Sequence, residues 1–144
     1  MEDTDEKFSE EENKKESKES KPLIKKARNY FILGKIGESL KMFSESASNY
    51  FKSLSAVNDF VLSKINLEPK DHGQRFSMLK EHFPEFYKIT DSLFTVYRKT
   101  YTSELTKEEL SRLREKIKEA FQNAKIRIPT LEEIKEQAEI LSKK

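Results

Sequence analysis

Apolar residues recur every three or four positions through the middle of this chain, and no other pattern in the sequence restricts its fold as strongly. An α-helix turns once every 3.6 residues, so such positions lie along one helical face. The pattern predicts one continuous helix over residues 37–65, a rod of about 42 Å at 1.5 Å per residue. We expect this rod to be the central helix of a bundle. The positions are Leu40, Phe43, Ala47, Tyr50, Leu54, Val57, Val61 and Ile65.

Shorter helical segments flank this rod, and no alternating pattern predicts a β-strand. A short first helix begins at Pro22 and stops at Gly34, since proline suits a first helical turn and glycine suits a helix end. Residues 66–73 are typical of a loop. The remaining predicted helices span residues 74–83, Pro84 to about residue 101, a segment opened by the Thr106–Glu109 capping box, and residues 130–141. The sequence therefore predicts an all-α, mostly antiparallel bundle of four to five helices over residues 22–144.

Residues 1–21 form a charged leader that differs from the rest of the chain. The leader holds nine acidic residues against five lysines, a net charge of −4, and Phe8 is its one large apolar residue after Met1. Such a segment buries too little apolar surface to offset the entropy lost on ordering, so we expect a disordered segment or a frayed helix. The remaining 23 basic and 17 acidic residues give a net charge of +6, which suits phosphate-bearing partners.

The residues that the sequence lacks exclude several classes of protein. There is no cysteine, which excludes disulfide frameworks, thiolate zinc sites and cysteine nucleophiles. Two histidines and three glycines are too few for a histidine-rich metal centre or a P-loop. No apolar run approaches the roughly 18 residues of a membrane span, and the first residues lack the pattern of a secretory signal. We therefore expect a cytoplasmic protein with no metal, no cofactor and no membrane association.

Arg75 and His82 are the candidate catalytic residues. Seven helical steps return to within about 20° of the same face, two turns along the axis. An arginine there would hold a phosphodiester while a histidine accepts the proton of a ribose 2′-hydroxyl, which suffices for RNA cleavage without a metal. The alternative is that both are ordinary surface residues beside a helix break.

His72, Arg98 and Tyr101 are the candidate substrate-binding residues. Arg98 and Tyr101 lie one helical turn apart, so a guanidinium and a phenol stand side by side. In that arrangement they would contact a phosphate and a base. The alternative is an arginine paired within the bundle and a tyrosine anchored at a helix end with its hydroxyl in water.

The order of these segments resembles the HEPN domain, a helical module of prokaryotic and higher eukaryotic nucleotide-binding proteins, in its compact prokaryotic or archaeal form. The resemblance covers about residues 23–125 and depends on four segments: the short helix, the aromatic and alanine face at 46–51, the loop at 69–72, and the helix end at 97–101. It implies an antiparallel bundle that usually dimerises. It also implies a role beside a minimal nucleotidyltransferase or an antitoxin. Many HEPN domains are metal-independent ribonucleases with an Arg-x(4–6)-His motif on the later long helix.

This motif is incomplete at the place where the resemblance puts it. Arg98 takes the position of the arginine, but no histidine follows it at the required spacing, and Arg75 with His82 satisfies the spacing one helix too early. We therefore predict a HEPN-like module that binds a nucleotide or RNA without strong catalytic activity of its own. The wide apolar face of the predicted rod favours a homodimer. The alternatives are a ribonuclease that uses Arg75 and His82, and a structural adaptor bundle with no nucleic-acid role.

Overall fold

The computed structural model describes residues 21–143, which form six α-helices and no β-strand. The all-α prediction is confirmed for this part of the chain, with six helices where four to five are expected. No helix within it is long and apolar enough to span a membrane. Residues 1–20, nearly all of the predicted leader, lie outside the described residues. The helices are α1 (Lys21–Ser39), α2 (Phe43–Ser63), α3 (His72–His82), α4 (Pro84–Lys99), α5 (Lys107–Asn123) and α6 (Leu131–Ser142).

The predicted rod over residues 37–65 is interrupted near its start, so one continuous helix there is not confirmed. Gly34 does not stop the first helix, which continues to Ser39, and the next helix begins only at Phe43. Leu40, expected on the buried face, lies in the turn between them and is 64% exposed. The first helix is therefore longer than predicted and the second is shorter.

The interruption is a helix ending built on a left-handed lysine. Lys41 has φ 60°, and the Met42 amide donates to the Gly37 carbonyl at 2.9 Å, as in a Schellman motif. Asn66 and Lys125 end α2 and α5 with the same conformation. None of the three is glycine, the residue that usually marks such endings in a sequence.

Helix α2 is the most extensively buried helix among residues 21–143. More than half of its residues are buried, including Tyr50, Leu54 and Val57. It packs against α1, α3, α4 and α5, whereas α6 packs against α1. A helix that is covered on several sides must be buried around much of its circumference, and in α2 the buried face combines apolar residues with serine and asparagine side chains.

The closest helix pair is α1 with α2. The buried hydroxyls of Ser46 and Ser53 on α2 donate to the carbonyls of Gly34 and Ala27 on α1, at 2.5 and 2.7 Å. Seven residues forward on α1 correspond to seven residues backward on α2, so the two helices are antiparallel. A Cβ atom on Gly34 would lie 2.5 Å from a ring carbon of Tyr50, so the ring packs directly against the α1 backbone.

The remaining helix starts follow local sequence signals. Asp71 caps α3, since its carboxylate accepts from the Gln74 amide at 2.8 Å, and α3 therefore begins two residues before the prediction. Pro84 is the first residue of α4, as predicted. The capping box of Thr106 is confirmed. Thr130 forms an equivalent box at the start of α6.

Replacing Gly34 by alanine is expected to lower the free energy of unfolding by about 1–3 kcal/mol, because the new methyl group overlaps the Tyr50 ring. Helix propensity alone would favour alanine by about 1 kcal/mol, so a loss reports the packing contact. Urea unfolding followed by circular dichroism measures the change. In the control Gly73→Ala, the new Cβ atom meets only the exposed Asp71 carboxylate, and we expect a change below about 1 kcal/mol. Equal effects of the two substitutions would contradict this interpretation.

Candidate functional site

Three of the five predicted site residues meet at one surface beside Phe51 of α2. We call the group formed by Phe51, His72, Tyr97 and Tyr101 the aromatic surface. His72 stands at the first residue of α3 and Tyr101 lies just after α4, so the two helices bring these residues to the same part of α2. Arg75, one turn after His72, borders this surface.

Arg75 is held by a carboxylate of the central helix. Its Nε and Nη2 atoms donate to the two carboxylate oxygens of Asp59 at 2.6 and 3.1 Å. This two-point geometry matches the planar guanidinium to a carboxylate, and the Arg75 side chain is only 13% exposed. The charge of Arg75 is therefore balanced by Asp59 within the fold.

The same guanidinium determines the proton position on His72. Nη1 of Arg75 lies 2.9 Å from Nδ1 of His72. Because a guanidinium can only donate, Nδ1 must accept, and the ring proton of neutral His72 is on Nε2. His72 also lies edge-on to Phe51, with 6.3 Å between ring centroids. It thus presents an N–H donor at the aromatic surface.

Tyr97 and Tyr101 continue the aromatic surface outward. The Tyr97 ring stacks on Phe51, with centroids 4.2 Å apart and planes within 8° of parallel. The hydroxyl oxygens of Tyr97 and Tyr101 are 2.9 Å apart, and the two rings pack edge to face. Tyr101 is 72% exposed. A phenol ring is therefore held in solvent on a packed aromatic base.

The hydrogen bond to Tyr101, together with partial burial, raises the pKa of Tyr97 to about 12. The Tyr101 hydroxyl stabilises the protonated form, and a nearby negative charge on either phenol would disfavour ionisation of the other. The Ser48 hydroxyl acts in the opposite direction. The Tyr97 phenol is consequently neutral at physiological pH.

The two other predicted residues lie outside these contacts. His82 is at the last residue of α3, where its Nε2 atom is 3.7 Å from the exposed Glu81 carboxylate. It does not share a contact with Arg75, which points to α2. Arg98 is exposed in the last turn of α4, and its carbonyl accepts from the Tyr101 amide at 3.2 Å. Its guanidinium is the cation nearest in sequence to the Tyr97–Tyr101 pair.

Sequence reasoning missed Phe51 and Tyr97 of the aromatic surface, and it missed Asp59, which holds Arg75 beside that surface. Asp59 follows Asn58 inside the otherwise apolar stretch from Ala56 to Leu62. Two polar residues in such a stretch are a signal that each has a tertiary partner. Asn58 does donate to Thr90 of α4 at 2.8 Å, and Asp59 binds Arg75.

A cavity of about 570 Å³ lies beside Asp59, near the loop that follows α2. Its ionisable lining residues are Asp59 and Glu68, both acidic, so it does not suit a phosphate. Within residues 21–143, no three histidine or carboxylate side chains come together as a metal site. The aromatic surface is thus the best candidate for binding among the described residues.

Comparisons of this chain with protein-family models, with curated proteins and with solved structures give no match. The functional interpretation therefore depends on the geometry of the surface and on the sequence pattern.

Asp59→Asn should lower the free energy of unfolding by about 1–3 kcal/mol, because it leaves the largely buried Arg75 without a balancing charge. Chemical denaturation measures the change. Asp91→Asn, which removes the same charge from an exposed position of α4, is the matched control and should change stability by less than about 0.5 kcal/mol. A neutral effect of Asp59→Asn would show that the ion pair is not a structural contact.

Tyr101→Phe should lower the pKa of Tyr97 from about 12 toward its ordinary value of 10.0, because the hydroxyl that stabilises the neutral phenol is removed. Tyrosinate absorbance measures this cleanly, since the chain has no tryptophan. The pKa of Tyr97 is higher in the folded chain than in the unfolded chain, so the unfolded chain loses this proton first as the pH rises. The contribution of Tyr97 to the free energy of unfolding is therefore complete below about pH 10 and is lost as the pH rises toward 12. Stability should therefore fall less steeply over this range in the variant. Tyr30→Phe, on α1, should leave the high-pH step in place.

Proposed function

We propose that this chain is a helical module that binds single-stranded RNA, or a nucleotide as its smallest unit, at the aromatic surface. The observation that carries the proposal is Tyr101, 72% exposed and supported by the Tyr97 ring stacked on Phe51. Exposed aromatic rings on a rigid base are the usual stacking platforms for unpaired bases. Base stacking on such a ring contributes about 1–3 kcal/mol.

Charge and hydrogen-bonding groups around Tyr101 support the same ligand. Arg98 supplies an exposed cation one turn away, which suits a phosphate of the bound strand. His72 supplies an N–H donor at the other side of Phe51. The neutral Tyr97 phenol adds no repulsion toward a polyanion at physiological pH.

The proposed module binds without cleaving. Arg75 donates through Nε and Nη2 to Asp59, so it is not free to clamp a phosphodiester. Nδ1 of His72 already accepts from Arg75, so neutral His72 can donate through Nε2 but has no free lone pair with which to act as a base. His82 lies at the opposite end of α3 and contacts Glu81 instead. The metal-independent ribonuclease with Arg75 and His82 as its catalytic residues is therefore the less favoured proposal.

The wider biological setting of the proposal comes from the sequence resemblance. In it the chain is a HEPN-like module of the cytoplasm that forms a homodimer and works with a nucleotidyltransferase or antitoxin partner. The all-helical fold of residues 21–143 is compatible with such a module. A purely structural adaptor is the alternative that a binding measurement distinguishes.

Tyr101→Ala should weaken binding of a fluorescent single-stranded RNA roughly 5- to 150-fold, since it removes the stacking platform. Arg98→Gln should weaken binding and reduce the salt dependence by about one phosphate contact. Fluorescence anisotropy over a salt series measures both. The matched controls are Tyr30→Ala on α1 and Arg112→Gln, an exposed position of α5. Absence of binding at low salt would contradict the proposal and favour the adaptor.

Incubation of the full chain with RNA and a chelator tests the ribonuclease alternative. We expect intact RNA. Cleavage that persists in chelator and is lost in His82→Ala would contradict the non-catalytic proposal.

A further inference from the structure

A small cleft of about 220 Å³ lies between α1, α5 and the start of α6, and none of its lining residues belongs to α3 or α4. Its floor is apolar, and its ionisable lining residues are all basic. The apolar residues are Phe31, Ile128, Pro129, Leu131 and Ile134, and the basic ones are Lys35, Arg114 and Lys118.

The positive charge of this cleft is only partly balanced within the described residues. Arg114 is paired with Glu38. Lys118 is 3.5 Å from the exposed Glu115 carboxylate, an i,i+3 pair that stabilises little in water. Lys35 forms no ion pair with any described residue. An occupant that carries negative charge beside an apolar group would therefore complement the cleft.

The size of the cleft limits that apolar group. A cavity of about 150 Å³ is enough to hold benzene, whereas sites for larger organic ligands span about 300–1,000 Å³. The cleft at about 220 Å³ therefore has room for one aromatic ring. Leu131, 64% exposed at its edge, would gain cover from such a ring.

We propose that the segment formed by residues 1–20 of this chain docks on the cleft, with the Phe8 ring inside it and neighbouring carboxylates beside Lys35 and Lys118. Phe8 is the one aromatic residue in that segment; Glu6 and Lys7 precede it, and Ser9 and three consecutive glutamates at residues 10–12 follow it. The segment has nine acidic residues and four lysines, a net charge of −5. Ring size and charge thus both match the cleft.

The chain between Phe8 and the bundle is long enough for this contact. Lys35 lies fourteen residues along α1 from Lys21, a distance of about 21 Å. The thirteen residues from Phe8 to Lys21 span up to about 43 Å when extended. The segment can therefore return along α1 and place Phe8 at the cleft. This docking does not depend on the proposed RNA-binding function.

Paramagnetic relaxation tests the proposal on the full chain. Because the chain has no cysteine, Ser9→Cys gives a single attachment point for a nitroxide next to Phe8. In the ¹⁵N spectrum we expect at least a threefold loss of amide intensity at Lys35, Lys118 and Ile134, restored when the nitroxide is reduced. Amides of α3, such as that of Met78, should keep their intensity. High salt should weaken the effect, since it screens the carboxylate–lysine attraction.

Variants separate docking from random proximity. Adding Phe8→Ala, or Lys35→Gln with Lys118→Gln, should restore most of the intensity at the cleft. Neither Lys35 nor Lys118 is buried in the core, so their replacement should leave the fold intact. Lys80→Gln with Lys88→Gln, exposed positions of α3 and α4, is the matched charge control and should leave the loss unchanged. Loss spread evenly over the bundle, or loss that persists in Phe8→Ala, would overturn the proposal. An equal loss in unlabelled ¹⁵N chain mixed with spin-labelled ¹⁴N chain would also overturn it, because the occupant would then come from a second copy.

Discussion

The close contact between α1 and α2 determines how the rest of this bundle can assemble. Gly34 allows the Tyr50 ring to lie against the α1 backbone, and two serine hydroxyls of α2 donate to α1 carbonyls. Those carbonyls already accept helical hydrogen bonds and use their second lone pair for the serine. Hydrogen bonds of this kind, unlike apolar contacts, are lost if one helix slides along the other. The pair is therefore held in one antiparallel register.

That register places distinct groups on the two remaining sides of α2. Toward α5, the Tyr50 hydroxyl donates to Glu38 of α1 at 2.7 Å, and Arg114 of α5 pairs with the same carboxylate. Burial raises the pKa of Tyr50 far above its ordinary value, so its phenol remains a donor. Toward α3 and α4, α2 presents Phe51, on which the Tyr97 ring stacks, and Asp59, which pairs with Arg75. One helix pair thus supports both functional candidates.

The parts of this fold that were predictable are those specified by neighbouring residues. Pro84 and the Thr106 capping box mark helix starts because the relevant hydrogen bonds lie within one turn. The turn after α1 was missed because Lys41, not a glycine, adopts the left-handed conformation, and the apolar spacing continues through it. The spacing of residues in the sequence also does not show which carboxylate an arginine pairs with. Asp59 is sixteen residues before Arg75, and only the path of the loop after α2 brings them together.

Arg75 and Arg98 differ in whether a carboxylate already pairs with the guanidinium, and this difference decides which of them is available to bind a phosphate. Arg75 has a histidine at the spacing that the motif requires. Its Nε and Nη2 atoms, however, donate to Asp59, and this ion pair joins α3 to α2. No histidine follows Arg98 at the required spacing, yet Arg98 is exposed and lies one turn before Tyr101 in the sequence. Chemistry on a phosphate needs a cation that is not already neutralised, so availability decides between them. The cleft is lined by residues of α1, α5 and the start of α6, whereas Tyr101 follows α4 and packs against Tyr97. The two proposed contacts therefore use different side chains and do not compete for the same residues.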